Sequence, residues 1–528
     1  MTNGILHRGI PFFVADDVRY NFFVYDVVRK GMPTSMRQGF DNEKYIELQA
    51  ANIRKRIAQF GGKLYLEFGG KLFDDYHASR VLPGFEPDTK FRMLESLVDD
   101  VEIVIAINAN HIEKGKTRGD LGIPYDEDVL RLIDVFRSRG FLVGSVVLTQ
   151  YANQPAADAY RHRLEQLGVT CRLHYPIAGY PHDIERIVSD DGYGKNEYIE
   201  TTRPLVVVTA PGPGSGKLAT CLSQLYHEHQ RGIDAGYAKY ETFPIWNLPL
   251  NHPVNIAYEA ATVDLDDANI IDPFHLEAYG ETTVNYNRDV EAFPVLKAMM
   301  ERIMGESPYA SPTDMGVNMA GYAIVDDDAC RDAARLEIVR RYFAAAVHLK
   351  RTGTGEEQVE RLRSIMNRAG VTPDLSPARA VALEKEAATG APAGAMVLPD
   401  GHVVTGKTGD LLGAASALLM HALKAVTGVD ETIPVIDDAA IEPICRLKTE
   451  HLNSVNRRLH SDETLIALSI TSATSPVAAR VIDGLKQLRG CDAFFSVIIS
   501  STDEALYRKL GINVCCEPKY ERVSLYHR

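Results

Sequence analysis

The sequence predicts an α/β protein of several domains, and three observations carry that prediction. Apolar runs alternate with helical patterns from about residue 40 to residue 288. This alternation is typical of a doubly wound, mostly parallel sheet, because parallel strands need helical crossovers between them. Helical spacing alone dominates residues 289–390, and a second series of strand patterns begins near residue 391.

We divide the chain of 528 residues into four segments on this basis. Its length exceeds what a single hydrophobic core usually supports. A nucleotide-binding-type α/β domain is expected over 36–288, a helical section over 289–390 and a smaller α/β domain over 391–528. Residues 1–35 are expected to form an N-terminal arm, for which an edge strand or a disordered tail is the alternative.

Composition and charge exclude several classes of function. The net charge is −14, so nucleic acid is not expected as a partner. No segment reaches about 18 uninterrupted apolar residues, so no membrane partner is expected either. The seven cysteines are scattered without a CxxC pair, which is typical of a reduced, cytoplasmic protein.

Continuous apolar runs and helical spacing place the elements of the first domain. Runs such as IVIAI suit strands that are covered on both faces. We expect strands at 63–68, 101–108, 141–148, 169–173 and 205–210, and helices at 89–97, 127–139, 155–167 and 217–231.

The remaining elements follow from the same signals. Helices are expected at 289–303 and over 326–368. The Asp400-Gly401 pair predicts the turn of a β-hairpin over 395–406. Further helices are expected at 410–426, 476–488 and 503–510, and further strands at 465–470, 493–499 and 512–516.

The predicted strand at 205–210 leads into a glycine-rich turn within the stretch LVVVTAPGPGSGKLATC. Small residues allow several backbone N–H groups to point at one anion. A strand before the turn, a helix after it and a lysine complete the context of a phosphate-binding loop. The candidate phosphate or nucleotide ligands are Gly212, Gly214, Ser215, Gly216 and Lys217.

This turn departs from the full phosphate-loop pattern at two positions. Pro211 occupies the place of the first glycine, and Leu218 follows the lysine, where a hydroxyl ligand for Mg²⁺ normally stands. A structural turn is therefore the alternative to a phosphate site. If the ligand is a nucleotide, we expect Mg²⁺ to accompany it.

Polar loops follow other strands of the predicted sheet, at the carboxyl ends where ligands bind in doubly wound sheets. Lys71 follows the first strand, and Lys114 and Arg118 follow the second. These three cations are candidates for phosphate binding, and His111 is a candidate catalytic acid or base. For each of them a solvated loop residue is the alternative.

Asp272 and His275 are further catalytic candidates. Asp272 ends a short apolar run, as expected of a residue that binds a metal such as Mg²⁺ or acts as a base. His275 follows it by three residues. The alternative is a helix cap, with Pro273 in the first turn.

The zinc-hydrolase hypothesis fails on spacing. The segment HEHQR begins at His227 like a zincin motif, but Arg231 stands where the second histidine is required. The sequence therefore offers no zinc motif.

Five long motifs, in order, resemble an uncharacterised bacterial family of a domain of unknown function. They are EFGGKLFDDYHASRVLPGF, NANHIEKGKTRGDLGI, APGPGSGKLATC, SPTDMGVNMAG and CRLKTEHLNSVNRRLHSDE. Some members of that family carry an ATP-dependent peptidase label, which no protease motif in this sequence supports. The resemblance also implies a cytidine-deaminase-like fold for the C-terminal domain, although the deaminase zinc motifs are absent from the sequence.

The leading hypothesis is an enzyme that acts on a nucleotide or a phosphorylated small molecule. Two alternatives stay open, a non-catalytic ligand-binding or assembly protein and a metal-dependent hydrolase. The helical section offers a surface for a homo-oligomer.

Overall fold

The computed structural model describes residues 37–70, 72–73, 75–118 and 122–521. These residues form two compact units, Gly39–Arg331 and a second unit that holds the described residues from Asp332 onward together with 37 and 38. The N-terminal arm expected over 1–35 lies outside the described residues, and so does Lys71.

A seven-stranded sheet forms the centre of the first unit, and all its neighbouring strands are parallel. Its strands are β1 (Leu64–Phe68), β2 (Val101–Asn108), β3 (Leu142–Thr149), β4 (Cys171–Leu173), β5 (Leu205–Thr209), β6 (Gly236–Tyr240) and β9 (Gly316–Val317). Their order across the sheet is β4-β3-β2-β5-β1-β6-β9. A separate antiparallel pair joins β7 (Asn269–Ile271) to β8 (Val284–Tyr286).

One helix precedes the first strand, and the others follow it along the chain. They are α1 (Asn42–Gln59), α2 (Tyr76–Val81), α3 (Thr89–Glu95), α4 (Ala109–Glu113), α5 (Tyr125–Ser138), α6 (Pro155–Gln166), α7 (Ile184–Ile187), α8 (Lys217–Gln230), α9 (Pro253–Ala261), α10 (Pro273–Tyr279), α11 (Asn287–Met304) and α12 (Pro312–Met315). The expected alternation of strands and helices is thus confirmed, most clearly at β5, where every residue is buried as its apolar run predicts.

Alternate residues of β1 and β6 show that helices cover both faces of the sheet. Tyr240 of β6 shares a 2.7 Å hydrogen bond between hydroxyls with Tyr45 of α1. Tyr65 of β1 points the other way and accepts a hydrogen bond from Gln224 of α8. Helix α1 packs on α3, whose Phe91 ring contacts α5. The helices that follow β2 and β5 therefore lie on opposite faces.

The second unit begins within α13 (Asp327–Thr352) and is built on a smaller, mixed sheet. Strands β10 (Ala393–Val397), β11 (Val403–Lys407), β12 (Asp492–Phe495) and β13 (Asn513–Cys516) take the order β11-β10-β12-β13. Its helices are α14 (Glu356–Ala369), α15 (Pro377–Thr389), α16 (Ala414–Val426), α17 (Asp438–Arg446), α18 (Ser461–Ser472), α19 (Pro476–Asp483) and α20 (Ser501–Lys509). The antiparallel pairing of β10 with β11 confirms the predicted hairpin.

One predicted element of this unit is wrong. Residues 465–470, expected as a strand, lie inside α18. A capping box between His460 and Glu463 starts the helix, and its buried residues recur at helical spacing while Ile466 and Ile470 are each 55% exposed. A run of apolar residues alone did not distinguish the two structures.

The expectation of a mixed α/β protein of several domains is confirmed. The likeness of its C-terminal domain to cytidine deaminases stays a prediction. Among the described helices, none combines the length and the hydrophobicity that a bilayer crossing requires.

Candidate functional site

Residues 210–216 connect β5 to α8 at the point where the sheet reverses its direction of winding. Strand β5 lies between β2 and β1, and the helices after β2 and β5 leave toward opposite faces. Doubly wound sheets bind their ligands in the crevice that opens at such a point. We refer to residues 210–216 as the anion loop.

Side chains hold the carbonyl groups of the anion loop. Residues at the ends of β2 and β3 supply two of the donors, and the loop itself and α8 supply the other two. The bonds are Ser215 Oγ to the carbonyl of Gly212 (2.8 Å), Asn108 Nδ2 to that of Gly214 (3.1 Å), Thr149 Oγ1 to that of Ser215 (2.8 Å) and Thr220 Oγ1 to that of Gly216 (3.0 Å). Hydrogen bonds to its carbonyl oxygens therefore hold the loop backbone in place.

The backbone donors of the anion loop are left unused. No N–H group from Gly212 to Gly216 donates a hydrogen bond to another described residue. Gly214 and Gly216 have left-handed φ angles of 75° and 87°. Gly216 is also the N-cap of α8 and has no side chain to satisfy the first turn of the helix. The loop thus presents several N–H groups at a helix N-terminus.

Two positions of this loop have no space for a Cβ atom, so they require glycine. A Cβ atom on Gly216 would lie 2.9 Å from Thr149 Oγ1. A Cβ atom on Gly212 would collide with the hydroxyl of Tyr125. The glycines of the motif therefore have a steric role as well as a conformational one.

His111 of α4 lies beside the anion loop. A Cβ atom on Gly214 would lie 3.4 Å from its Cε1 atom. Its Nδ1 atom is buried and has no hydrogen-bond partner among the described residues. The pKa of His111 is lowered, first by burial and then by the charges of Lys116 and Lys114. Burial and the two lysine charges therefore favour the neutral imidazole.

Lys217 begins α8 on the side that faces the sheet. Helical spacing aligns it with Cys221, Gln224 and Glu228, which are all fully buried. Tyr65 of β1 contacts Gln224 and Glu228, so Lys217 lies further along, toward the carboxyl end of β1. No hydrogen bond or ion pair joins its ammonium to a described residue.

A cluster of charged side chains lies at the carboxyl ends of β1 and β6, on the face that α8 covers. Lys239 Nζ is 2.6 Å from Glu241 Oε1 and also donates a short hydrogen bond to Asp289 of α11. Glu67 is the register partner of Lys239 on β1. Glu67, Lys239, Glu241 and Asp289 form what we term the charge cluster.

Burial and mutual interaction shift the acid–base properties of the charge cluster. Burial and the nearby Asp289 charge raise the pKa of Glu241 to about 7, against the opposing effect of Lys239. Burial also acts to raise the pKa of Asp289, but the charge of Lys239 outweighs it and the pKa is lowered. The pKa values of the two carboxyl groups are thus shifted in opposite directions, although both groups contact the same lysine.

Sequence reasoning missed the charge cluster. The available signal was the strand segment GYAKYE, in which Lys239 and Glu241 alternate with buried residues. A charged residue in a central strand is unusual, because such a side chain is costly to bury without a partner.

The other predicted phosphate ligands have different surroundings. Arg118 donates to Asp128 through a 3.0 Å hydrogen bond and so contacts α5. Lys114 is exposed at the end of α4 and acts on His111 through its charge. The structure thus places His111 beside the anion loop, whereas Lys114 is exposed to solvent at the end of α4.

Asp272 lies in a different network. It is fully buried and is the N-cap of α10, with Pro273 in the first turn. Its Oδ1 atom accepts hydrogen bonds from the N–H groups of Phe274 and His275, and its Oδ2 atom accepts two from Thr313. This is the helix-cap alternative that the sequence left open.

His275 belongs to the same network as Asp272. Its Nδ1 atom lies 2.8 Å from Ser311 Oγ, and within the described chain no hydrogen bond or ion pair of either residue reaches the anion loop. Within the described ranges, no group of three or more His, Cys, Asp and Glu side chains is placed to hold a metal ion. A metal or catalytic role for Asp272 and His275 stays a prediction.

Family models cover nearly all of the described chain. The domain of unknown function DUF1846 matches with its N-terminal model over residues 38–370 and with its C-terminal model over residues 374–526. The chain belongs to the DUF1846 family. The resemblance to a bacterial family of a domain of unknown function is thereby confirmed.

Relatives in the DUF1846 family are similar over their whole length. A UPF0371 protein of Corynebacterium diphtheriae is 59% identical over 495 residues, which cover 93% of this chain and 99% of that protein. One from Corynebacterium efficiens is 58% identical over 494 residues (93% and 100%). One from Streptococcus pneumoniae is 56% identical over 492 residues (93% and 100%). Their names state no activity.

Proposed function

We propose that the anion loop binds the phosphate group of a nucleotide or a phosphorylated small molecule. One observation carries this proposal. Side chains hold the loop carbonyls of Gly212, Gly214, Ser215 and Gly216, whereas the N–H groups of the same residues are unused within the described chain. A set of convergent N–H groups at a helix N-terminus favours an anion.

The side chains around the loop support a phosphate rather than a neutral ligand. Lys217 lacks a carboxylate partner among the described residues, so its charge is available to phosphate oxygens. The lowered pKa of His111 favours its neutral form, which suits a general base for a hydroxyl or a water molecule near the phosphate. We therefore favour an enzyme in the cytoplasm over a non-catalytic binding protein.

In this site Mg²⁺ would bind only together with the ligand. Leu218 replaces the hydroxyl that normally follows the lysine of a phosphate loop, and Thr220 donates its hydroxyl to the carbonyl of Gly216. Mg²⁺ would therefore be held by the phosphates of a nucleotide and by water. A dependence of binding on Mg²⁺ would identify a nucleotide as the better ligand.

A thermal-shift screen tests the proposal. Wild type and Lys217→Ala are screened with nucleotides, sugar phosphates and inorganic phosphate, each with and without Mg²⁺. A ligand that binds the folded state raises stability by RT ln(1 + [L]/Kd). Lys55→Ala is the matched control, because Lys55 is an exposed lysine of α1.

The expected result is a shift that wild type and Lys55→Ala share and that Lys217→Ala lacks. An equal shift in all three proteins would move the binding site away from the anion loop. No shift with any phosphate compound would make residues 210–216 a structural turn. A turnover assay with each ligand that binds then separates an enzyme from a binding protein.

A further inference from the structure

The motif CRLKTEHLNSVNRRLHSDE has no part in the proposed function, and its last residues join a second polar cluster, in the second unit. His460 and Ser461 at the start of α18 meet Ser500 and Asp503 at the start of α20. Residues 496–500 lead to α20 from the carboxyl end of β12, which pairs in parallel with β13. The carboxyl end of a parallel strand is where α/β sheets bind their ligands.

The carboxylate of Asp503 is buried and has three donors besides the histidine. Its Oδ1 atom accepts hydrogen bonds from the N–H group and the hydroxyl of Ser461 at 2.7 and 2.6 Å, and its Oδ2 atom accepts one from the hydroxyl of Ser500 at 2.7 Å. Burial acts to raise the pKa of Asp503, but hydrogen bonds from the three neighbouring side chains outweigh it and the pKa is lowered. Asp503 is therefore an ionised acceptor.

These hydrogen bonds fix the tautomer of His460. Its Nδ1 atom lies 3.2 Å from Asp503 Oδ2 and 3.3 Å from Ser500 Oγ. A hydroxyl has one proton, and Ser500 donates its proton to Asp503, so both oxygens can only accept from the imidazole. Nδ1 therefore carries the hydrogen, and the lone pair of neutral His460 is on Nε2.

The Nε2 atom is the open end of the His460 ring. The hydrogen bonds and the ion pair that the ring makes with other described side chains are all at Nδ1. The side chain of His460 is 37% exposed, whereas that of Asp503 is 10% exposed. An imidazole that is held by a carboxylate at one nitrogen and is open to solvent at the other has the arrangement of a general base.

We propose that His460 and Asp503 form an acid–base dyad that hydrolyses uncharged acyl compounds such as carboxylic esters. A water O–H bond breaks and its proton goes to Nε2 of His460, while the water oxygen bonds to the acyl carbon. The acyl C–O bond then breaks, and the leaving alkoxide takes the proton from Nε2. Asp503 is the positioning residue, because it holds Nδ1–H and stabilises the imidazolium.

The surrounding side chains decide the nucleophile and the substrate class. The hydroxyls of Ser461 and Ser500 both donate to Asp503, so water rather than a serine is the nucleophile. All four lysine and arginine side chains of the motif have a glutamate partner. The pairs are Arg446–Glu450 (3.4 Å), Lys448–Glu463 (2.7 Å), Arg457–Glu442 (2.9 Å) and Arg458–Glu521 (3.5 Å). A phosphate would find no unpaired cation of the motif here, and an ester needs none.

The dyad predicts the pH dependence of hydrolysis. The hydrogen bond to Asp503 raises the pKa of His460, against the opposing effect of burial. The charges of Asp503 and Glu463 also raise it, and the charge of Lys448 lowers it. Hydrolysis needs the neutral imidazole, so the rate should rise with pH through a midpoint above about 6.5, the ordinary pKa of histidine.

Hydrolysis of p-nitrophenyl acetate by the whole chain tests the dyad. The rate should be about 10²-fold lower in His460→Gln than in wild type, because the general base is lost. His451→Gln is the matched control, since His451 is an exposed histidine of the same motif, and it should keep the wild-type rate. Equal rates in wild type and His460→Gln would overturn the proposal.

Asp503→Asn tests the positioning role through the pH profile. Without the carboxylate the pKa of His460 loses its main increase, so the midpoint should move to lower pH and the rate at high pH should fall. If this variant does not fold, the reaction of wild type with diethyl pyrocarbonate gives the midpoint at His460 directly, with the product located by mass spectrometry. No reaction at His460, or a midpoint below about 6.5, would contradict the dyad.

Sulfate binding separates the dyad from the proposed function. Sulfate has a constant charge near neutral pH, and its stabilisation of the folded protein probes the anion loop. That stabilisation should be the same in wild type and His460→Gln. Ester hydrolysis that depends on His460 without any sulfate binding would contradict the proposed function alone. Sulfate binding that depends on Lys217 without such hydrolysis would contradict the dyad alone.

Discussion

The two ends of α8 contact the same sheet with opposite chemistry. At its C-terminal end, the Glu228 carboxylate is completely buried and accepts hydrogen bonds from Lys63, Tyr65 and Tyr198 at 2.5, 2.6 and 3.2 Å. At its N-terminal end, Lys217 has no ion-pair partner in the described chain, and the loop before it has unused N–H groups. Both residues lie on the same stripe of the helix.

This contrast separates stability from function within one helix. A buried charge contributes to a fold only when it is paired. At Glu228, Oε1 accepts from Lys63 and two tyrosine hydroxyls, while Oε2 is buried without a hydrogen-bond partner among the described residues. An unpartnered cation and unused donors contribute nothing to the fold, so their arrangement needs another explanation. The predictions below compare a substitution near one end of α8 with a matched substitution near the other. They run from the largest expected loss of folding free energy to the smallest.

Lys63→Met should give the largest loss of stability. It leaves the buried Glu228 carboxylate without its cation, and an uncompensated buried charge costs about 3 kcal/mol. Urea denaturation at pH 7 measures the loss. Sulfate stabilisation should be unchanged, because Lys63 is at the far end of α8. A loss below about 1 kcal/mol would show that Glu228 does not depend on this ion pair.

Gly216→Ala should cost about 2 kcal/mol, since a left-handed φ of 87° is unfavourable for alanine and its Cβ would lie 2.9 Å from Thr149. Gly232→Ala is the matched control beyond the other end of α8, where φ is 71° and nothing lies within 4 Å of the added carbon. The control should lose about 1 kcal/mol and keep sulfate binding. Equal losses in the two variants would contradict the crowding at Gly216.

Thr149→Val should cost about 1 kcal/mol, because it removes the hydrogen bond to the carbonyl of Ser215 while keeping the volume of the side chain. Sulfate affinity should fall with it, since the loop loses one of its anchors. Thr201→Val removes a hydroxyl that contacts Tyr65 near the other end of α8. This control, Thr201→Val, should lose a similar amount of folding free energy and keep its affinity for sulfate. Unchanged sulfate affinity in Thr149→Val would show that the loop holds its shape without this anchor.

Local signals in the sequence predicted most of the fold of the first unit. Strand β2 was expected at 101–108 and is found at Val101–Asn108, because a long apolar run bounded by polar residues predicts a buried strand there. The strand expected at 465–470 failed because the helix that replaces it is specified by a cap at His460 and by packing, neither of which the apolar run reveals.

The candidate site was predictable only where it is contiguous in sequence. The anion loop and Lys217 follow one another along the chain, so their motif was visible. The anchors Asn108 and Thr149 belong to other strands, and the pairing of Glu67 with Lys239 depends on strand order and register. Tertiary structure brings these residues together, and no local pattern encodes that placement.

Lys217→Met should have the smallest effect on stability and the largest on binding. Its ammonium makes no ion pair with a described residue, so we expect a change within about 0.5 kcal/mol in urea denaturation. Sulfate stabilisation should disappear. The same substitution at Lys63 should give the reverse pattern, a loss of stability with sulfate binding intact. If both variants lose stability and neither loses sulfate binding, the two ends of α8 are alike, and the anion site must be sought elsewhere in the molecule.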